Sequence, residues 1–352
     1  MDINHITEIN LENFKCFDKF EIKNVGQFNL IVGDNNVGKT SLLEALLFDG
    51  DINSFSNNLF KLYISKGYSF ELERLNTKNS GLEEKYISYG FWKYIKNDIG
   101  KEALISYNQL NILNDVYKNN FIYLKDTNNI NDTINYTYNN FGDKTFRVSD
   151  INFQKNYEID NFISLNVNYS NYFFEQYNEL ISPKQSLIDL FNEHLKTIIP
   201  DLKSFHYRKI NNQDILSIGR INYEDTIPLF GFGDGAIRLV RIILGMMNNN
   251  SSRLMIDEVD TGIHYSRLKD YLKKIVLLSI QNKKQLFLTT HSEECQRYFL
   301  EIFNEDEDLK NLQEKVRHIM MYKNKNEKII STTRNFKTAY TGLELGRELR
   351  SI

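Results

Sequence analysis

Cysteine is almost missing from this chain: Cys16 and Cys295 are the two in 352 residues. Two thiols exclude a disulfide framework and point to a reducing cytoplasm as the site of action. Neither sign of charge is in excess. The 43 basic and 46 acidic side chains leave a formal charge of −3, so no global attraction to nucleic acid or to an anionic membrane follows, and any DNA contact has to come from a local patch. Apolar runs long enough to span a bilayer are lacking, and Met1-Asp2-Ile3-Asn4-His5 has neither the basic nor the apolar part of a leader, so no membrane partner is expected. Proline and glycine are scarce, at 3 and 17, while Asn, Lys, Ile and Tyr are abundant. That skew reflects base composition more than function. The length leaves room for one large domain or two of ordinary size.

What the chain does carry is concentrated in short motifs. The first is Phe28-Asn29-Leu30-Ile31-Val32-Gly33-Asp34-Asn35-Asn36-Val37-Gly38-Lys39-Thr40-Ser41, an apolar run ending in Gly-x-x-x-x-Gly-Lys-Thr, with helix-like Leu42 to Phe48 behind it. Strand, glycine loop and helix are the context in which a Walker A match becomes a phosphate site. Gly33 and Gly38 let the backbone fold tightly enough to aim N–H groups at phosphate oxygens, with Asn35, Asn36 and Ser41 in the same cradle. The start of the following helix adds partial positive charge where the anion sits. Lys39 reaches the β- and γ-phosphates, and the Thr40 hydroxyl ligates Mg²⁺. The expected ligand is a nucleoside triphosphate, ATP with Mg²⁺.

Three segments are expected: an N-terminal lobe with Walker A over 1–48, an inserted subdomain over 49–160 and a C-terminal lobe over 161–352. Ile6 to Leu11, Phe17 to Ile22 and Phe28 to Val32 read as strands. In the insertion the strands are Ala103 to Tyr107, Phe121 to Lys125, Thr133 to Tyr138 and Lys144 to Val148, with a helix around Leu82 to Lys96. The basic and aromatic mix Phe91-Trp92-Lys93-Tyr94 with Lys96 suits either nucleic acid or a core face beside a solvated one. No heptad pattern persists, so a long coiled coil is not expected. Phe162 to Leu165 reads as a buried strand. Ser182-Pro183 predicts a helix with Pro at its first position, His194 packed on its apolar face and Pro200 closing it. Phe205 to Lys209 and Ile215 to Ile221 form a predicted hairpin, as do Val316 to Tyr322 and Ile329 to Thr333 around Asn324-Lys325-Asn326-Glu327. The run Glu305-Asp306-Glu307-Asp308 reads as a solvated loop, and Phe336 to Leu349 as a helix.

The remaining motifs come in a fixed order. Gly231-Phe232-Gly233-Asp234-Gly235-Ala236-Ile237-Arg238 is a second glycine cluster, opening the helix-like run Leu239 to Leu244. Arg253-Leu254-Met255-Ile256-Asp257-Glu258 is a Walker B candidate: apolar residues deliver a carboxylate to the edge of a sheet, Asp257 to hold Mg²⁺ and Glu258 to polarise the attacking water. Leu286 to Thr290 is another buried strand, with His291 just past its edge, where a histidine can sense the γ-phosphate. His291 and Cys295 have the spacing of a metal or nucleophile pair, but no further Cys is available to complete such a site.

Strand, Asn13-Phe14-Lys15, strand and then Walker A resembles the head domain of SMC-like and RecF-like ATPases, which implies a nucleotide contact for Lys15; an exposed turn lysine is the alternative. The Pro228 to Arg238 cluster, ahead of Walker B, resembles the signature of ABC-class ATPases, which binds the γ-phosphate held by the opposite subunit. Gly233 stands where that signature has serine, leaving Gly233, Asp234 and Gly235 to offer backbone N–H groups. Asp260-Thr261-Gly262-Ile263-His264 occupies the place of the D-loop, and no Q-loop glutamine can be placed. Together, Gly33 to Thr40, Gly-Asp-Gly-Ala-Ile-Arg, Ile256-Asp257-Glu258 and Thr289-Thr290-His291-Ser292 are similar to the AAA-type, ABC-fold ATPases of the abortive-infection and OLD-like group. The resemblance implies an α/β P-loop NTPase of ABC-ATPase type, with an N-terminal antiparallel β-subdomain and an inserted α+β subdomain. It further implies ATP hydrolysis by a head-to-tail homodimer, with Lys39, Glu258 and His291 as catalytic residues. With no room for a Toprim or other nuclease domain after the last motif, it implies a separately encoded effector, a nuclease or toxin, in antiviral defence. A RecF-like DNA repair or recombination ATPase is the alternative, and a transporter ATPase is disfavoured by the altered signature.

Overall fold

Alternation of apolar and charged residues sets the first sheet. In the computed structural model, which describes residues 4–47, 58, 71–77, 81–87, 103–111, 116–126, 133–138, 143–147, 162–163, 171–196, 199–210, 213–248 and 251–346, β1 (Asn4–Phe14) and β2 (Phe17–Lys23) are antiparallel. Phe17, Phe20 and Ile22 are buried while Asp18, Lys19 and Glu21 face water. β3 (Phe28–Gly33) is buried at every position, and α1 (Lys39–Ala45) follows the glycine loop. Among the described residues β4 (Glu71–Thr77) and β5 (Gly81–Ile87) pair only with each other. β6 (Ala103–Asn111), β7 (Val116–Asp126), β8 (Thr133–Tyr138) and β9 (Asp143–Arg147) continue the first sheet beyond β1, in the order β2-β1-β6-β7-β8-β9. Each neighbour is antiparallel.

The second sheet holds the nucleotide motifs. β10 (Phe162–Ile163) precedes two helices, α2 (Asn171–Leu180) and α3 (Gln185–Leu195). An antiparallel sheet follows, made of β11 (Leu202–Ile210), β12 (Gln213–Arg220) and β13 (Thr226–Pro228). After a 3₁₀ turn (Leu229–Phe232) come α4 (Asp234–Met247), β14 (Arg253–Ile256), α5 (Tyr265–Gln281) and β15 (Gln285–Thr290). The chain goes on through α6 (Glu293–Glu305), α7 (Glu307–Lys310), the hairpin β16 (Val316–Lys323) and β17 (Ile329–Asn335), and α8 (Phe336–Glu344). The sheet order is β10-β14-β15-β3-β16-β17, with β10, β14, β15 and β3 parallel. Uninterrupted apolar runs suit strands covered on both faces. The polar exception in β3, Asn29, is fully buried and satisfied: it donates to the carbonyls of Gly26 and Leu286 and accepts from the Gly26 N–H. Those bonds help lock β3 beside β15.

The chain folds as two units, one of Met1–Val25, Asn35–Ile159 and Met321–Thr333, the other of Gly26–Asp34, Asp160–Met320 and Arg334–Ile352. Among the described residues the longest helix, α5, has 17 residues, and no helix is long and apolar enough to cross a membrane.

Three local expectations need correcting. The helix placed over Leu82 to Lys96 begins in a strand instead, since Gly81–Ile87 pairs with β4; its remainder, with the Phe91 to Lys96 mix, lies outside the described residues. The register sets Arg74 opposite Glu84 and Glu73 opposite Lys85. Pro183 does not open a helix. It lies in the turn joining α2 to α3, where the Ser182 N–H bonds the Tyr177 carbonyl and Lys184 is the N-cap. The acidic run is no loop either: it ends α6, and Asp306 caps α7 through the Asp308 N–H. His194 is packed as expected, 4% exposed, and burial pushes its pKa down to about 4.

Candidate functional site

β3 ends at Gly33, and the loop turns through exposed Asp34, Asn35 and Asn36, the last in a left-handed conformation at φ 63°. Gly38 is the N-cap of α1 at φ 82°. A Cβ there would lie 2.6 Å from the Cys16 sulfur and 2.8 Å from Phe17 Cζ, so both dihedral and space demand glycine. Lys39 opens the helix with 6% of its surface exposed, followed by partly exposed Thr40 and Ser41. The first-turn N–H groups have no intrahelical acceptor, which is how a helix start meets a phosphate. Lys15, itself left-handed at φ 50°, turns its ammonium to the Glu44 carboxylate on α1. Both side chains are buried, at 9% and 2% exposure, so the structure assigns Lys15 an ion pair with the Walker helix.

A second group of residues gathers at the carboxyl ends of parallel strands. Ile256 pairs with Leu288 across β14 and β15, and Thr290 pairs with Val32 across β15 and β3. Gly33 ends β3, and Asp257 and His291 each follow their strand by one residue, at one sheet edge where ligands bind in open α/β folds. The Asp257 N–H bonds the Ile163 carbonyl at 2.9 Å. Thr289 Oγ1 donates to Asp257 Oδ1 at 2.6 Å and accepts from the Glu258 N–H at 2.7 Å. Glu258 is left-handed at φ 50°, a conformation costing a non-glycine residue roughly 1–2 kcal/mol. It holds because Arg238 Nη2 donates to the carbonyls of both Asp257 and Glu258, the second at 2.9 Å. The Glu258 carboxylate meets His291 Nε2 at 3.1 Å, with both side chains about one-third open to solvent, at 31% and 33%. Next along, Thr290 Oγ1 donates to Asp260 Oδ1 at 2.6 Å and accepts from the Ser292 N–H at 3.0 Å.

The glycine cluster also closes on this edge. Gly233 is the N-cap of α4 at φ 81°, ψ 175°, a region that is almost glycine's alone. A Cβ on Gly235 would lie 2.6 Å from the Gly262 carbonyl oxygen, so the start of α4 rests directly on the D-loop segment. Asp234 is in the first turn of that helix, where its charge suits the helix dipole.

The structure thus unites Gly33, Asp257, Glu258 and His291 at one edge, sets Gly233 to Gly235 against the segment just after Glu258, and takes Lys15 to Glu44. Sequence reasoning quoted Thr289, Thr290 and Arg238 within its motifs but gave none of them a role at the site. The two threonines had a signal, a Thr-Thr pair ending an apolar strand that would run beside Walker B. Arg238 had none in isolation, since an arginine early in a helix reads as solvated. As to Mg²⁺, the oxygen donors fit it: a threonine hydroxyl at position 40 and a carboxylate at 257, the latter oriented by Thr289, are the hard ligands this ion takes together with phosphate oxygens and water.

A strand, glycine loop and helix, together with carboxylates and a histidine at the carboxyl ends of parallel strands, define a P-loop ATPase. Residues 28–295 match the family described as "AAA domain, putative AbiEii toxin, Type IV TA system", and the chain belongs to that family. It is similar to an "ATP/GTP phosphatase" of Helicobacter pylori, 27% identical over 332 residues, spanning 85% of this chain and 88% of that protein. Among solved structures it resembles the Smc head domain with an extended coiled coil bound to the C-terminal domain of ScpA from Pyrococcus furiosus, with TM-score 0.54, 13% identity, and 98% and 100% of the two chains covered. An SmcHead bound to the C-winged helix domain of ScpA aligns with TM-score 0.55 and 13% identity over 96% of this chain and 99% of its own. At that identity the likeness establishes the fold.

Proposed function

We propose that this chain hydrolyses ATP with Mg²⁺, that two copies close head-to-tail around the nucleotide, and that closure controls a separately encoded effector in antiviral defence. The observation carrying the reading is the Thr289, Asp257, Glu258 and His291 network beside the strand that leads into the Walker A loop. Lys39 and the loop N–H groups hold the β- and γ-phosphates. Thr40 and Asp257 would hold Mg²⁺, which when bound would supply positive charge to the phosphate oxygens. Glu258 takes a proton from a water molecule as its oxygen attacks the γ-phosphorus; the bond to the β–γ bridging oxygen breaks, and ADP leaves with that electron pair. His291, on the Glu258 carboxylate, reports whether the γ-phosphate is present.

Effector control draws its support from the family, whose description names a toxin and a toxin–antitoxin system, and dimerisation from the glycine cluster packed on the D-loop segment. The test is ATP turnover by the purified chain, with Glu258→Gln beside it. The variant is expected to bind ATP, to turn over at least about 10²-fold more slowly, and to accumulate as a dimer in light scattering. A wild-type chain that neither binds nor hydrolyses ATP sinks the enzymatic reading, and an ATP-loaded Glu258→Gln chain that stays monomeric sinks the dimer. Affinity capture from the native host with the Glu258→Gln chain as bait identifies the effector, and steeply salt-dependent capture of duplex DNA would favour the RecF-like alternative.

A further inference from the structure

The proposed chemistry uses the Glu258 carboxylate, yet the most heavily restrained part of Glu258 is its backbone. Its φ of 50° turns two successive carbonyls, those of Asp257 and Glu258, toward one side of the chain. A single nitrogen, Arg238 Nη2, receives both. Arg238 is 2% exposed and among the largest fully buried side chains described. Tyr271, completely buried with its phenol pushed upward first of all by that burial, lies next to the guanidinium. A buried cation bonded to two main-chain oxygens is a costly arrangement that a solvent-facing helix residue would not adopt. Without this anchor a glutamate at φ 50° relaxes toward the right-handed region, and its carboxylate leaves the place where it meets His291.

We infer that Arg238 is a positioning residue for hydrolysis: by holding the carbonyls of Asp257 and Glu258 it fixes the left-handed turn that aims the Glu258 carboxylate. It touches no nucleotide and acts through residue 258. The inference rests on Glu258 being the base, so its test is a double-mutant cycle. ATP affinity is read by a fluorescent ATP analogue, and hydrolysis by single-turnover assay with labelled ATP on the full-length chain. Wild-type hydrolysis that Glu258→Gln slows establishes the underlying reading independently. Against that baseline Arg238→Met is expected to lower the rate by about 10²-fold, the scale of an ångström-sized misplacement, with ATP affinity within about threefold. In the Glu258→Gln background the same substitution is expected to have no further effect, because the group it aims is already gone. Arg238→Lys, which keeps a nitrogen able to donate twice, is expected to recover part of the rate. Unchanged turnover in Arg238→Met, or losses that multiply in the double variant, would overturn the assignment. If Arg238→Met does not fold, the cycle with Arg238→Lys decides the matter: its smaller loss must vanish in Glu258→Gln, and persistence of that loss overturns the inference.

Discussion

Thr289→Val is the sharpest probe of the carboxylate edge, because it keeps the shape of a fully buried side chain and deletes one hydroxyl. That hydroxyl makes two bonds, to Asp257 Oδ1 at 2.6 Å and from the Glu258 N–H at 2.7 Å. The first is charge-assisted, with a net contribution of about 1.5–3 kcal/mol, and an N–H left without its acceptor in the interior costs about 1–3 kcal/mol. Both run through one oxygen, so the losses overlap and about 3 kcal/mol is expected for the pair. For a 352-residue chain that is roughly 4 °C in Tm, taking an unfolding entropy of about 2.1 cal/mol/K per residue. Thr289→Ser keeps the hydroxyl and loses a methyl group, about 1 kcal/mol. Thermal unfolding of the nucleotide-free chain therefore ranks wild type, Ser and Val in that order. Hydrolysis should separate them further, with Val slow and in need of more Mg²⁺, and Ser close to wild type. Equal melting of Ser and Val, with matching Mg²⁺ dependence, would refute the idea that this oxygen orients both carboxylate residues.

Gly233 and Gly235 should fail for different reasons. No atom lies within 4 Å of a Cβ on Gly233, so any residue there loses about 1–3 kcal/mol through backbone strain alone. On Gly235 the Cβ meets the Gly262 carbonyl, so the cost should grow from Ala to Val; chemical unfolding of both series checks the contrast, and a size-dependent loss at Gly233 would contradict it. Lys15→Met leaves the buried Glu44 carboxylate without its lysine, and breaking such a pair costs about 3–5 kcal/mol. The nucleotide-free chain should melt earlier; a weaker ATP affinity at unchanged stability would return Lys15 to the nucleotide. Burial, with a smaller contribution from Arg334, holds His318 down to about 3 against an ordinary 6.5. The folded ring stays neutral while the unfolded chain takes up a proton, so its contribution is complete above pH 6.5 and is lost as pH falls toward about 3. His318→Gln, measured by urea unfolding at several pH values, should flatten that decline; an unchanged slope would mean that His318 is not the group titrating.

What the sequence made legible was whatever is local. Walker A declares itself because the residues that bend the loop, Gly33 and Gly38, also bracket the residues that use it. The strand entering it and the one ending at Ile256 are short, mostly apolar and observed as buried strands. The hairpins around 211–212 and 324–327 were equally plain, since turn residues separate two alternating runs. Over Leu82 to Lys96 the reading failed because Leu, Glu and Lys serve a helix face and a charged strand alike. The α2 helix escaped notice: Asn171 to Leu180 mixes Asn, Tyr and Phe, which are weak helix formers, and Tyr177 is held by packing against Phe191 and Phe205 at 5.3 and 5.2 Å between ring centres.

The carboxylate edge shows why a list of motifs hides the contacts between them. Motifs run along the chain, whereas the network runs across the sheet. Asp257 stands one step past Ile256, whose partner is Leu288, so the register obliges Thr289 to lie beside Asp257 whatever the distance in sequence. The same β15 strand pairs Thr290 with Val32, one step before Gly33. One parallel strand thus supplies a hydroxyl to each aspartate of its neighbour's loop, Thr289 to Asp257 and Thr290 to Asp260, and is followed at once by the histidine that meets Glu258. Arg238 completes the arrangement from a helix, gripping the turn from its carbonyl side while Thr289 grips it from its N–H side. A left-handed glutamate held at both peptide groups has little freedom left to explore. The helix that grips it starts at Gly233, so any ligand that shifts the first turn of α4 also shifts the anchor on Glu258.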